Sequence, residues 1–419
     1  MIGLVGGLRD ELALGVALRF EQVKDVFHAG VSSGPKVSSA SVKTDIPSPY
    51  SAESTEPRVS SLELFFDLVF VFTITQLTSL LLRDPTIAGL LQMVLLFGNV
   101  WWMYGGYAWL TNAVPPRGLV VRLLLLVGMG GFLLIALSIP TAFGSGGAAF
   151  GIGYVVVTLV HTGLFWRGSR QSIASAIGRL GPFNLITAAL LLVAGFTNGA
   201  LRIVLFTLGG ILHWITPYLI PQSSFTIRAG HFVERHGLIL LIAIGESVVA
   251  VGIGLGPIDL PAGRILAALL ALALTAALWW LYFNGDDDGA ETALEAAPAE
   301  AKPWLALNAF GYTFVPILGG IVLVAAGLKL AVIRYNEPST TAAAVFLACG
   351  VAIYLAGLAL FRWLIHLRPV LIRLLMAALA VGTIVVGLRI TPVAQLTALV
   401  IVLIVGNIAE ARLGSRRPA

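Results

Sequence analysis

About twelve apolar runs, each roughly eighteen to twenty-four residues long, set what this chain can fold into, because about twenty such residues in a helix cross the hydrocarbon of a bilayer. They lie approximately at 61–82, 87–110, 119–139, 147–166, 180–197, 201–220, 237–256, 263–284, 308–332, 342–362, 370–388 and 391–409, separated by short stretches with Pro, Gly, Asn or Arg. In hydrocarbon every backbone N–H and C=O must be satisfied within the segment, so the runs are helices. Composition agrees: 58% of the residues are hydrophobic, 11% are charged and the mean hydropathy is +0.93, against roughly 25% charged residues in a soluble domain. The fold class is therefore an all-α polytopic membrane protein. The net charge of +5 is spread over short loops, which argues against a nucleic-acid partner and for the lipid bilayer. Cys349 is the only cysteine, so no internal disulfide and no C-x-x-C metal or redox pair can form.

The first run carries the chemistry. Residues 58–82, RVSSLELFFDLVFVFTITQLTSLLL, place Glu63 and Asp67 one helical turn apart on one face. An ionised carboxylate near the middle of a spanning helix costs roughly 2.5 to 3.5 kcal/mol on insertion scales, so something must offset it. A cation, a water-lined cavity or facing donors would serve. Glu63 stands near the helix end, where water can reach it, which makes Asp67 the sharper signal. The plainer alternative is a device for hydrogen bonding between helices.

RVSSLELFFDLVFVFTITQL at 58–77, the pair Trp101-Trp102 and YAWLTN at 107–112 resemble the opening of the bacterial low temperature requirement protein A family. HFVERHGLILLIAIGESVVAVG at 231–252 resembles that family's other hallmark, so the likeness runs from residue 58 to roughly 410. The resemblance implies an integral membrane protein tied by name to growth in the cold. It implies no particular reaction.

The seventh run supplies a second intramembrane acid, Glu246. Arg235 precedes it by eleven residues, about three turns, and so shares its face if the helix begins early enough. Glu234, Arg235, His231 and His236 also suit simple anchoring at the membrane interface. WWMY at 101–104 and WWLY at 279–282 are 178 residues apart, and Asp67 and Glu246 are 179 apart. An offset of six helices predicts two parallel six-helix repeats, 58–220 and 221–410, with ligand sites near their interface. Tyr104, Asn99 and His213, with Gln76, His161, Asn184 and Asn308, are polar residues within runs. His213 is a candidate proton relay or a satisfied packing residue. The acidic stretch Asp286–Asp288 lacks the alternating ligand spacing of a calcium loop and reads as a solvated linker. No metal site or cofactor is expected.

Residues 1–57 form an N-terminal tail: Leu4, Leu8, Leu12, Val16 and Phe20 mark an amphipathic helix, and 31–57 have a linker's composition. Residues 411–419 are a short basic tail. With twelve spans, fifteen Lys and Arg residues fall on the side of the termini and six on the other. That bias predicts an inner (plasma) membrane protein with both ends in the cytoplasm. H-E-x-x-H, G-x-S-x-G and the phosphate-binding G-x-x-x-x-G-K-[ST] pattern are absent from the sequence, so an enzyme is not expected. The expectation is a transporter or permease coupled to protons or cations, acting on an unknown small molecule or ion. The alternatives are a cation channel of two six-helix repeats, or an intramembrane enzyme or other non-transporting protein.

Overall fold

A computed structural model describes residues 59–168, 171–220, 225–255 and 261–414. The expected amphipathic helix and linker of the N-terminal tail, and the end of the basic tail, lie outside them. The first six helices are α1 (Ser61–Arg83), α2 (Ile87–Ala113), α3 (Leu119–Ser138), α4 (Gly147–Gly168), α5 (Gln171–Gly195) and α6 (Gly199–Leu219). There follow α7 (Ala229–Leu255), α8 (Ala262–Phe283), the short α9 (Asp286–Ala296) and α10 (Lys302–Ala306), and α11 (Phe314–Ile333). The last are α12 (Thr341–Leu364), α13 (Leu371–Gly382), α14 (Ile384–Arg389) and α15 (Pro392–Gly414). Twelve of the described segments are long and apolar enough to cross a membrane, with α13 and α14 together making one of them.

Local chemistry sets several boundaries. Ser60 caps α1 in a capping box: its Oγ accepts from the Glu63 N–H, and the Glu63 carboxylate accepts from the Ser60 N–H at 2.9 Å. Thr86 and Thr340 cap α2 and α12 in the same side-chain manner. The seventh span begins at Ala229, eight residues earlier than its apolar run at 237, so Glu234, Arg235 and His236 lie inside a helix. Ahead of α11 the chain makes one π-helical turn, Leu307–Tyr312, where the Thr313 N–H reaches back to the Asn308 carbonyl at 3.2 Å.

Helix packing follows the same order in both halves. In the first, α1 packs on α3, α3 on α4, α4 on α5, α5 on α6, and α6 returns to α2. In the second, α7 packs on α11, α11 on α12, α12 on α13, α13 and α14 on α15, and α15 returns to α8. Glycines permit the closest approach: a Cβ on Gly153 would sit 2.8 Å from the Gly131 carbonyl oxygen, and one on Gly320 2.7 Å from that of Gly350. Tyr154 on α4 donates its hydroxyl to the Asn99 carbonyl of α2 at 2.9 Å, and Tyr354 on α12 donates to the Leu278 carbonyl of α8 at 2.7 Å. Asn99 and Leu278 are 179 positions apart, the same offset as Asp67 and Glu246. The two groups of helices meet where α1 packs on α7 and α11.

Candidate functional site

α1 and α7 run parallel, as their contacts show: Glu63 faces His231, Asp67 faces Arg235, and Thr75 bonds Glu246. The seam between them holds a buried charge cluster. Asp67 is 0%, Arg235 1% and Glu63 2% exposed. Arg235 Nη2 lies 3.1 Å from Asp67 Oδ1, and its Nη1 lies 3.4 Å from Glu63 Oε1. Nη1 also donates to the Thr111 hydroxyl at the end of α2. Tyr104 donates its hydroxyl to the same Asp67 oxygen at 2.9 Å. The guanidinium lies over the rings of Phe66 and Tyr104, 5.5 and 5.8 Å from their centroids, which adds cation–π attraction. Asp67 Oδ2 is buried and has no partner.

Hydrogen-bond geometry orients the fourth member, His231. His231 Nε2 lies 3.1 Å from Glu63 Oε1, and its Nδ1 lies 3.4 Å from the Asn112 amide nitrogen. Asn112 has a fixed orientation: its oxygen accepts from the Arg228 N–H, and its nitrogen donates to the Arg228 carbonyl, each at 3.1 Å. The amide therefore presents N–H to His231 Nδ1, which must accept. The other ring nitrogen, Nε2, then points at Glu63. Two carboxylates then share one guanidinium. An uncompensated charge in such a place is expensive, and the unpartnered Asp67 Oδ2 is where a proton would go.

The seven residues singled out from the sequence fall into three places. Glu63, Asp67, Arg235 and Tyr104 come together. Glu246 is half-buried farther along the same seam, with Lys329 of α11 as the cation facing it. Eleven residues of α7 put it about 16 Å from Arg235 along the helix axis. Asn99 and His213 belong to a separate contact among α2, α4 and α6. There His213 Nδ1 meets the Tyr154 hydroxyl at 3.1 Å, Trp102 stacks on its ring, and Asn99 donates to the Leu95 carbonyl.

Three expectations need correction. Glu63 is not at a wet helix end, because Ser60 and His231 enclose it. His231 and His236 are not interfacial anchors: both are buried, the first on Glu63 and the second among Trp101, Phe232, Phe310 and Phe314. Asp286 is not a solvated linker residue. It is 2% exposed and pairs with Arg373 and Arg362, which in turn bind Glu410.

Next to the charge cluster, Trp101 stacks on Tyr104 with centroids 5.1 Å apart, and its indole donates to the Gly311 carbonyl of the π turn at 2.7 Å. Beyond Trp101 lies a cavity of about 90 Å³ walled by Trp102, Trp109, Trp214 and Tyr312, with His161 and Asn184 as its polar side chains. Among the described residues no three His, Cys, Asp or Glu side chains are grouped as metal ligands.

A family model, Bacterial low temperature requirement A protein (LtrA), matches residues 58–408. An uncharacterized protein of Rhizobium meliloti (strain 1021) is 28% identical over 320 residues, which cover 73% of this chain and 77% of the relative. No solved structure matches the chain.

Proposed function

The chain belongs to the bacterial low temperature requirement A family, and we propose that it is a proton- or cation-coupled transporter whose coupling site is the cluster of Glu63, Asp67, Arg235 and His231. The observation that carries this reading is the pairing of two buried carboxylates with one guanidinium, one carboxylate oxygen being left without a partner. Such a site gains a proton or a small cation at little structural cost and loses it again when Arg235 moves closer. Because Arg235 and Asp67 come from different halves, a relative shift of the halves would change their distance and so the proton affinity of Asp67. Glu246 and Lys329 supply a second exchange point along the seam.

The aromatic-walled cavity is the proposed substrate chamber. Its ring faces, with no Lys or Arg among the described residues that line it, suit a small organic cation held by cation–π attraction. Trp101 touches both the chamber and Tyr104, so occupancy would be felt at Asp67. The π turn bordering the chamber is an element of the kind frequently found at functional sites. Arg235 counts against the channel reading, since a fixed positive charge at the acids would repel permeating cations. The matched tyrosine bonds and the shared packing order support a parallel repeat. The Lys and Arg bias supports an inner-membrane location with both termini cytoplasmic, and the family's name suggests that loss of transport would be felt in the cold.

The test uses proteoliposomes with a trapped pH dye and tetramethylammonium as the probe. The proposal expects the probe to drive proton movement in the unaltered protein, with none in Asp67→Asn that still purifies folded. Equal proton movement in both would remove Asp67 from coupling. Large passive currents under voltage clamp would replace the transporter with a channel.

A further inference from the structure

A second polar feature lies outside the proposed coupling site, at the bundle end that carries Arg362, Arg368 and Arg373. A crevice of about 790 Å³ opens there between α8 and α15. One wall is a run of small side chains on α8, Ala273, Ala276 and Ala277, facing Ile404 and Ile408 on α15. Ala276, Ile404 and Ile408 are exposed, and on spanning helices exposed aliphatic surface faces lipid. The other end is lined by the three arginines and Glu410. Arg362 and Arg373 are held by Asp286 and Glu410, two cations against two anions. Arg368 is exposed and makes no ion pair among the described residues, so the crevice end carries one surplus positive charge.

We propose that this crevice binds one anionic phospholipid, with its phosphate on Arg368 and the neighbouring guanidinium edges and an acyl chain along the alanine trough. Two independent observations select that occupant. The surplus charge and fork-shaped donors suit a phosphate oxygen pair. The apolar wall runs continuously from them onto lipid-facing surface, which a free phosphate would leave unused and an acyl chain fills. Trp280, 50% exposed beside the crevice, has the amphipathic character of a residue at headgroup depth. Arg373, which lines the crevice though it is largely buried, also donates to the Leu281 carbonyl near the end of α8, so a phosphate drawn to this group would bear on the α8, α13 and α15 junction. The inference stands whether or not the protein is a transporter.

Thermal unfolding of the purified full chain in detergent, titrated with phosphatidylglycerol, phosphatidylcholine of equal chain length and glycerol phosphate, tests it. Phosphatidylglycerol is expected to stabilise at about tenfold lower concentration than phosphatidylcholine, the value of one charge-assisted contact. Arg368→Gln, at an exposed position without a partner, should erase that preference. Ala276→Trp should fill the trough and weaken both lipids while leaving Arg368 in place. Equal action of the two lipids on the unaltered chain would overturn the proposal, as would a preference surviving in Arg368→Gln. A full shift with glycerol phosphate alone would make the site one for small anions and overturn it too.

Discussion

The two buried charge clusters use similar parts to different ends. Asp286, Arg362, Arg373 and Glu410 match two carboxylates with two guanidinia, and Arg373 alone donates to both acids. Arginine stays charged at any working pH, so that group is electrically closed and ties α9, α12, α13 and α15 together. Glu63, Asp67, Arg235 and His231 match two carboxylates with one guanidinium and an imidazole that is charged only if protonated. Its net charge depends on where a proton sits. The difference teaches that burial of ion pairs is not by itself a functional sign. A deficit in the count, with an orphaned oxygen beside it, is the sharper one.

The largest expected effect breaks both clusters alike. Removing a central cation, by Arg235→Met or Arg373→Met, leaves Glu63 and Asp67 with no guanidinium in one cluster and Asp286 and Glu410 with Arg362 alone in the other, and should cost about 3 to 5 kcal/mol of stability in each. Thermal unfolding in detergent measures it. The rescues should then differ. Asp67→Asn added to Arg235→Met should restore most of the stability but none of the proton coupling. Asp286→Asn added to Arg373→Met should restore both, because that group has no part in coupling. If the second rescue restores folding without activity, the closed cluster is part of the mechanism and the contrast fails.

A smaller effect separates charge from shape at one atom. Asp67→Asn keeps the size and one acceptor for Tyr104 and Arg235 but loses the titratable proton, so coupled transport should fall by about hundredfold or more, equivalent to roughly 2.7 kcal/mol. Stability should change little, since the substitution also removes the charge in excess. Asp286→Asn should do the reverse: transport within about twofold and a stability loss of about 1 to 3 kcal/mol, because an amide cannot satisfy two guanidinia. Proton-flux rates and unfolding midpoints on the same preparations decide between the two patterns.

These contrasts also mark how far the sequence could be read. The spans were legible because backbone in hydrocarbon leaves few options, and Asp67 stood out as the deeper of two acids on one face of an apolar run. Arg235 was legible as Glu246's companion on a face, yet its direct partners were not, because the parallel docking of α1 on α7 is a tertiary fact. His231 looked interfacial because a hydropathy boundary at 237 hides that helical backbone begins at Ala229. Asp286 was misjudged for a related reason: three consecutive aspartates look solvated, and its partners stand far away in the chain at span ends, where charges are ordinary. Only packing shows that those ends converge.

The finest expected effect turns the comparison from clusters to halves. Tyr154 and Tyr354 are each fully buried, and each donates its hydroxyl to a backbone carbonyl of the second helix in its own half. A carbonyl within a helix is already satisfied by its own ladder, so deleting the hydroxyl orphans no strong donor and leaves a void no larger than one oxygen. From the carbonyl contact alone, Tyr154→Phe and Tyr354→Phe should therefore each cost only about 1 kcal/mol. The surroundings supply the one expected asymmetry. The Tyr154 oxygen also accepts from His213, whose other ring nitrogen has no partner, so Tyr154→Phe strands a buried imidazole and should cost the larger amount. Changing His213 to Phe in that background should bring the two halves level. Should Tyr354→Phe instead cost several times more than Tyr154→Phe, the matched bonds would carry unequal loads and would no longer support a repeat.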